Sequence, residues 1–310
     1  MKIKLRWLFV FLVLMLAACD GSTGSADGPG RSAIASVPAI QTGVDHDAWA
    51  TVPAGSFLLG QHEHETILDY DYEIMITDVT NAQYAAYLNA ALAAGEVWIE
   101  GDAVVGYYPG DTFHGHEHEK EIAAGDWTFI PLDAPVLRLQ FEEGEFIVKS
   151  GYENHPVTMV SWFGAWGYCR FYGWRLPTDV EWEKAARGQD NRPFPWGFEI
   201  ENNHANFISS HDVFERVFAG AGGTTPVGFY NGETHEGYTT RDGASPYGLY
   251  DMAGNVWQWT GDVRAGAHYR SLRGGSHTSY AYNLRIWTPN NADPRHTAPD
   301  VGFRCVRDSR

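Results

Sequence analysis

The sequence predicts a mixed α+β fold with a high loop content. Three segments carry helix start signals followed by apolar residues at helical spacing. In two short segments, residues 52–60 and 141–150, apolar and polar residues alternate or are interrupted by glycine or proline, which is typical of strands joined by turns. Beyond Gly188, glycine or proline interrupts the chain too often for long regular elements. With 12 Trp, 34 Gly and 15 Pro, the composition suits short strands and turns packed around large aromatic rings.

Each of the three expected helices has a recognisable beginning. Residues 80–83, Thr-Asn-Ala-Gln, form a capping box ahead of apolar residues at helical spacing. Ser161 precedes the second helix, and Gly173 can end that helix in a left-handed turn. Residues 178–181, Thr-Asp-Val-Glu, form a second capping box, and Gly188 is the expected end of the third helix.

Residues 1–18 have the pattern of a signal peptide. Lys2, Lys4 and Arg6 precede an apolar run, residues 7–16, that is too short to span a bilayer comfortably. The sequence Leu-Ala-Ala-Cys that ends at Cys19 resembles a bacterial lipobox, which implies cleavage before Cys19 and acylation, as with palmitate, of its thiol and new amino group. An ordinary secretory signal is the alternative. Acyl chains on Cys19 predict a lipid-anchored protein of the bacterial cell envelope that faces the periplasm or the exterior.

The remaining chain divides into a tether and a domain. Residues 19–45 are rich in Gly, Ser, Ala and Pro without periodicity, which predicts a flexible tether. Residues 46–310 contain no second low-complexity break and are expected to form one domain. The formal net charge of −17 disfavours a nucleic-acid partner and peripheral binding to anionic lipid, so the covalent anchor is the expected attachment to the membrane.

Several blocks of the sequence carry a family resemblance. They are residues 155–188, FPWG at 194–197, GLYDMAGNVWQW at 248–259, RGGS at 273–276 and VGFRC at 301–305. In this order they resemble the formylglycine-generating enzyme family, also called sulfatase-modifying factors. The resemblance implies the sulfatase-modifying-factor fold, which is related to C-type lectins.

The same resemblance exposes a departure in chemistry. In catalytic members of the family, the segment after RGGS carries two thiols that bind copper and oxidise a substrate cysteine. Here residues 277–300 contain no cysteine. Cu(I) prefers thiolates to oxygen donors, so neither copper nor formylglycine formation of the family's type is expected. A different oxidation or another metal stays open.

The three cysteines of the chain predict one disulfide. Once Cys19 is acylated, Cys169 and Cys305 form an even pair in an oxidising compartment, which favours a bridge. Two separate buried thiols are the alternative. The family's corresponding cysteines are bridged, so the resemblance implies the same pairing.

The resemblance also implies a cleft in which family members receive an extended peptide. Its expected residues mix donors, acceptors and aromatic faces, which suits a peptide, a glycan or a merely structural loop. These residues are Ser276, His277, Tyr280, Tyr282, Arg285, Trp287, Asn290, Asn291 and Arg295.

Two further sets of residues have the chemistry of metal ligands. Matched positions for the family's calcium sites are Asn206, Phe207, Asp251, Gly254, Val256 and Gln258. Two positions depart from the family: Gln258 replaces the usual Glu, and residues 219–221 contain no Asp, for which Asp212 is a candidate substitute. Weak calcium binding, or structural loops that do not need the ion, is therefore the alternative. Two histidine clusters have the spacing of zinc or copper ligands, with solvated loops as the alternative. Their residues are His62 and His64, and His114, His116 and His118.

Together these patterns favour a membrane-tethered binding or accessory protein that recognises a protein segment or a glycan without copper oxidation. The alternative is an enzyme, either a divergent formylglycine-type oxidase or another oxidative modifier of proteins or metabolites. Neither the ligand, the choice of inner or outer membrane nor the oligomeric state follows from the sequence.

Overall fold

The structure, a computed structural model, describes residues 37–117, 119–214, 223–263 and 268–309. The predicted signal peptide, Cys19 and the tether up to residue 36 lie outside the described residues. Residues 37–45 lie against the domain: Ile40 is buried in a cluster with Phe214 and Phe229, and the Thr42 hydroxyl donates to the Val227 carbonyl at 3.0 Å. The packed unit therefore begins near residue 36, before the expected domain start at residue 46. Within the described ranges, no helix is long and apolar enough to cross a membrane.

The predicted helix starts are confirmed. The helices are α1 (Asn81–Ala94), α2 (Trp162–Phe171) and α3 (Asp179–Arg187). Thr80 and Thr178 each form a capping box, so the first free N–H groups of α1 and α3 have side-chain partners. Ser161 caps α2 by accepting a hydrogen bond from the backbone N–H of Gly164 at 3.1 Å.

The strands form three sheets and three hairpins within the described residues. The first sheet is antiparallel and consists of β1 (Trp49–Val52), β4 (Tyr72–Met75) and β16 (Val306–Asp308). The second is an antiparallel meander of β5 (Val97–Glu100), β6 (Ala103–Tyr108) and β7 (Gly125–Pro131). The third, in which β12 and β15 are parallel, has the order β14 (Asn290–Ala292), β13 (Arg270–Arg273), β12 (Trp257–Val263) and β15 (Val301–Phe303). The hairpins pair β2 (Gly55–Leu59) with β3 (His64–Leu68), β8 (Leu139–Glu142) with β9 (Glu145–Val148), and β10 (Thr234–His235) with β11 (Tyr238–Thr239).

Aromatic rings fill the main core between α1, α2 and the end of β15. Tyr84 stacks on Tyr168 at a centroid distance of 5.7 Å, and Tyr168 meets Phe303 edge to face at 5.3 Å. Beside these rings, Cys169 of α2 forms a disulfide with Cys305, and both residues are fully buried. The predicted bridge is therefore confirmed, and it joins α2 to the residues that follow β15.

The arginines of two sequence motifs are buried as structural groups. The carboxylate of Glu183, on α3, accepts hydrogen bonds from Arg187 at 2.9 Å and from Arg273 of the RGGS block. Arg304 of the VGFRC block donates to the Gln258 side chain at 2.8 Å and to Asp78 at 3.1 Å. Because a buried charge must be paired, these contacts fix both motifs to the core.

Candidate functional site

The loop that carries most of the expected cleft residues starts from a glycine pair after β13. Gly274 and Gly275 have positive φ angles of 96° and 75°. A Cβ atom on Gly275 would lie 2.8 Å from the Leu284 side chain, so glycine is needed at this turn. The preceding residue, Arg273, also donates to the Ile286 carbonyl at 3.0 Å. Residues 276–289, here called the tyrosine loop, thus begin shortly after Arg273 and are held near their end by its buried guanidinium.

Three hydroxyl residues near the start of the tyrosine loop, Ser276, Thr278 and Ser279, are here called the hydroxyl floor; Ser276 and Ser279 are buried, and Thr278 is exposed. The carboxylate of Asp300 accepts hydrogen bonds from the hydroxyls of Ser276 and Thr278, both at 2.9 Å. The Ser279 hydroxyl accepts a hydrogen bond from the backbone N–H of Ser276 at 3.0 Å. Neutral hydroxyls that donate to a carboxylate are poor Cu(I) ligands, so this donor set does not fit a copper centre.

His277 is a neutral, buried member of the same floor. Its side chain is nearly enclosed, at 8% exposure, and its Nδ1 lies 2.9 Å from the Asn255 carbonyl oxygen. A carbonyl oxygen only accepts, so Nδ1 carries the proton in this contact. Burial lowers the pKa of His277 and keeps the ring uncharged near neutral pH. The ring therefore anchors the loop to the turn before β12.

Above this floor the tyrosine loop presents exposed aromatic rings. Tyr280 and Tyr282 are 68% and 58% exposed, and they flank the start of a short 3-10 helix, Ala281–Leu284. The Arg285 guanidinium lies over the Tyr282 ring at 5.1 Å from its centroid. The backbone N–H of Ile208, a residue with an exposed side chain, donates to the Ser279 carbonyl at 3.1 Å. Exposed rings on an anchored loop are a surface that can bind a ligand.

The remaining expected cleft residues have other local surroundings. The Trp287 ring packs beneath the buried Arg187 guanidinium at 5.2 Å, and its Nε1 is buried without a partner in the described structure. Asn290 and Asn291 belong to the edge strand β14. Arg295 forms a double hydrogen bond with Asp293, at 2.8 and 2.6 Å, beside a separate cavity of about 130 Å³. The structure thus places the predicted cleft residues on the tyrosine loop, at a packed tryptophan, on an edge strand and beside a separate cavity.

The residues matched to calcium ligands already serve the protein's own donors. The Gln258 side-chain oxygen accepts from Trp182 Nε1 at 2.7 Å and from Arg304 Nε at 2.8 Å. The Asn206 carbonyl accepts from the Asn255 backbone N–H at 2.8 Å. The Asp251 carboxylate accepts from the Gly228 backbone N–H at 2.7 Å, and burial raises its pKa. Each of these oxygens already accepts a hydrogen bond within the protein, and calcium binding at these positions stays a prediction.

Neighbouring positions of the same set are also part of the packing. Phe207 and Val256 have buried side chains, and the backbone N–H of Gly254 donates to the Gly274 carbonyl at 2.9 Å. Asp212 is buried, and its carboxylate accepts from the backbone N–H of Phe214 and from the Tyr230 hydroxyl, both at 2.8 Å. Residues 219–221 lie outside the described residues.

The histidine clusters are exposed and local. The rings of His62 and His64 lie 6.3 Å apart, and those of His114 and His116 stack at 5.6 Å. The carboxylate of Glu119 accepts from the backbone N–H groups of His114 and His116, which lowers its pKa. His118 lies outside the described residues. Across the part of the chain that the structure describes, no group of three or more His, Cys, Asp or Glu side chains is placed to hold a metal.

Sequence reasoning missed two residues of the site. Asp300 binds the hydroxyl floor from the residue before β15, and Ile208 extends the exposed surface from a distant loop. Neither belongs to a local pattern of ligand-binding residues. The position of Asp300 directly before VGFRC was the single available signal for its role.

A family profile for the "Sulfatase-modifying factor enzyme 1-like domain" matches residues 36–309. The chain belongs to the sulfatase-modifying factor family. Among its relatives, the formylglycine-generating enzyme of Mus musculus is 29% identical over 329 residues, covering 94% of this chain and 84% of that protein. The "Inactive C-alpha-formylglycine-generating enzyme 2" of the same species is 35% identical over 160 residues, covering 49% of this chain and 48% of that protein.

Other matches of this sulfatase-modifying factor domain differ in extent. The "Serine/threonine-protein kinase pkn1" of Chlamydia caviae is 35% identical over 189 residues, or 55% of this chain, and the match spans only 27% of the kinase. The solved structure of PvdO from Pseudomonas aeruginosa has a TM-score of 0.53 at 21% identity, covering 84% of this chain and 94% of PvdO. This likeness supports the fold. The kinship with C-type lectins stays a prediction.

Proposed function

We propose that this sulfatase-modifying factor domain is a lipid-anchored accessory protein of the bacterial cell envelope, which binds an extended protein segment on the tyrosine loop without copper-dependent oxidation. The observation that carries the proposal is the pair of exposed rings, Tyr280 and Tyr282, above a floor of hydroxyls already bonded to Asp300. Such rings supply contact area at low entropic cost, and the loop is held in place before any ligand arrives.

The chemistry of the loop supports binding over oxidation. Ser276, Thr278 and Ser279 offer hydroxyl oxygens, whereas Cu(I) requires soft donors. Cys169 and Cys305 form a disulfide, so neither offers a thiolate to a metal. Cys19, the predicted lipid attachment site, is far from the loop in the sequence. That the family includes a relative named as inactive is compatible with a binding role.

The alternative is a divergent oxidase, and one observation favours it. The match to the mouse protein named formylglycine-generating enzyme extends over 84% of that protein, so most of an enzyme's fold is present. An oxidase of this kind would oxidise the Cβ carbon of a substrate cysteine to an aldehyde with O2, release its sulfur as sulfide, and take two further electrons from an external thiol to reduce the second oxygen atom to water. The two functions therefore differ in whether the bound peptide changes.

A peptide-binding experiment separates them. The full chain, purified in detergent, is screened against a library of fluorescent unstructured peptides that includes a Cys-x-Pro-x-Arg peptide and its serine counterpart. We expect retained peptides to bind independently of cysteine, and the Tyr282→Ala variant to bind them about tenfold more weakly. The matched control is Tyr107→Ala, because Tyr107 is similarly exposed, at 54%, but lies on β6. Fluorescence anisotropy gives the affinities.

The same experiment tests the two residues next to the rings. Arg285→Ala is expected to weaken binding with the fold intact, because its guanidinium lies over the ring of the exposed Tyr282. Trp287→Ala is expected to lower stability instead, since its ring packs on Arg187. Failure of every peptide to bind, or unchanged affinity in Tyr282→Ala, contradicts the proposal. Aldehyde formation, seen by mass spectrometry after incubation with copper and oxygen, establishes the oxidase instead.

A further inference from the structure

A second concave site lies on a different part of the domain. It is a cavity of about 350 Å³ that shares no residue with the tyrosine loop. Its walls come from α1, α2 and the sheet of β5, β6 and β7. Its volume lies at the small end of the range found for ligand pockets. Six aromatic rings line it: Tyr87, Trp98, Tyr107, Phe129, Trp166 and Phe171.

One side of this aromatic pocket is built by close contact between α2 and β7. A Cβ atom on Gly167 would lie 2.6 Å from the Phe129 ring and 3.1 Å from the Tyr87 hydroxyl. Glycine at position 167 therefore lets both rings approach the helix. The wall is rigid, because it consists of packed rings on regular elements.

Tyr87 brings an unused polar group to the pocket. The residue is only 2% exposed, and its hydroxyl has no hydrogen-bond partner among the described residues, although the other rings of the core surround it. Burial, reinforced by the carboxylate of Glu96, raises the pKa of Tyr87, so its hydroxyl stays neutral. A phenol hydroxyl on the pocket wall to which no described residue is bound can donate to or accept from a ligand.

Two charged side chains of opposite sign complete the wall. Glu96 and Arg170 line the pocket, and neither forms an ion pair with another described residue. The Arg170 guanidinium lies over the Trp166 ring at 4.9 Å from its centroid. A guanidinium disfavours a cationic ligand and a carboxylate disfavours an anionic one. The pair instead offers several donors and acceptors to a neutral molecule.

We propose that this aromatic pocket binds a neutral saccharide. A pyranose ring has apolar C–H faces and a rim of hydroxyls, so it matches flat aromatic walls interrupted by a carboxylate, a guanidinium and a phenol. In this assignment Trp98 and Tyr107 contact the apolar face of the sugar. Tyr87, Glu96 and Arg170 bind its hydroxyls. The site is independent of peptide binding on the tyrosine loop.

The test uses the full chain in detergent and an array of neutral mono- and disaccharides, followed by calorimetric titration of the sugar that is best retained. We expect Trp98→Ala to weaken binding about tenfold, because an aromatic contact is lost. Tyr87→Phe keeps the ring and removes only the hydroxyl, and we expect about a fivefold loss. Tyr282→Ala is the matched control, and its sugar affinity should equal that of the wild type.

Three results would overturn the assignment. The first is that no neutral saccharide on the array is retained. The second is wild-type sugar affinity in both Trp98→Ala and Tyr87→Phe, which would place the sugar elsewhere. The third is displacement of the sugar by tetramethylammonium, which would indicate a cation site built around Glu96. If Trp98→Ala fails to fold, Tyr87→Phe still tests the assignment, because it removes only a hydroxyl and preserves the packing of the ring.

Discussion

Single residues of this domain are often buried polar groups with a structural task. His155 is fully buried, with Nδ1 2.9 Å from the Thr224 hydroxyl and Nε2 without a partner in the described structure. Burial lowers its pKa from 6.5 to about 3. The folded protein therefore holds this ring neutral at pH values where the unfolded chain protonates it.

That difference predicts a loss of stability in acid. Between pH 6.5 and about 3 the unfolded state binds a proton that the folded state does not, so stability falls as the pH falls. From pH 7.5 to 5.0 we expect His155 to account for about 2 kcal/mol of the decrease in the free energy of unfolding. Urea unfolding at both pH values should show a smaller decrease for His155→Asn than for the wild type. The exposed His64→Asn should keep the wild-type dependence, and equal slopes in all three proteins would refute the assignment.

At the scale of elements, segments that are far apart in the sequence are tied together within the described residues. The disulfide links α2 to the segment between β15 and β16 across a sequence separation of 136 residues. Glu183 similarly links α3 to β13 through Arg273, and it accepts the Gly60 N–H of the β2–β3 turn at 2.5 Å. Short elements gain their order from such long-range links, because few of them are long enough to be stable alone.

Removal of the disulfide is expected to be costly. In the chain-entropy model, a bridge closing a loop of this length stabilises the fold by roughly 4 to 5 kcal/mol. Cys305→Ala should lower the free energy of unfolding by that order, and the Cys169→Ala/Cys305→Ala double variant should lie close to it. Cys19→Ser, which leaves the bridge untouched, is the control in these urea titrations. Identical unfolding of the wild type with and without reductant would contradict the expected contribution.

At the scale of the whole molecule, the attachment of the domain rests on residues outside the described ranges. Cys19 follows the signal-peptide pattern and is the predicted acylation site. We expect Cys19→Ser to abolish lipidation and to move the protein from the detergent-rich phase to the aqueous phase in a partitioning assay, because the acyl chains supply the membrane affinity. Intact mass gives the second readout. A Ser25→Ala control should partition like the wild type, and unchanged partitioning of Cys19→Ser would disprove the anchor.

Local chemistry by itself determined much of this protein. The starts of α1 and α3 were predictable from Thr80 and Thr178, because a capping box involves only neighbouring residues. The pairing of Cys169 with Cys305 followed from the small number of thiols, and the missing copper ligands followed from residues 277–300. The family followed from motif order, which the family profile confirms.

Only the tertiary structure decided which of these residues are exposed and which are bound to other groups of the protein. The Ser276 hydroxyl donates to Asp300, and the side-chain oxygen of Gln258 accepts from Trp182. The ring of Trp287 packs against the Arg187 guanidinium. The aromatic pocket, too, gathers rings from α1, α2 and three strands. Exposure and hydrogen-bond partners depend on contacts between distant segments. A pattern confined to neighbouring residues therefore identifies chemical groups. It does not show whether distant residues of the protein already bind or bury those groups.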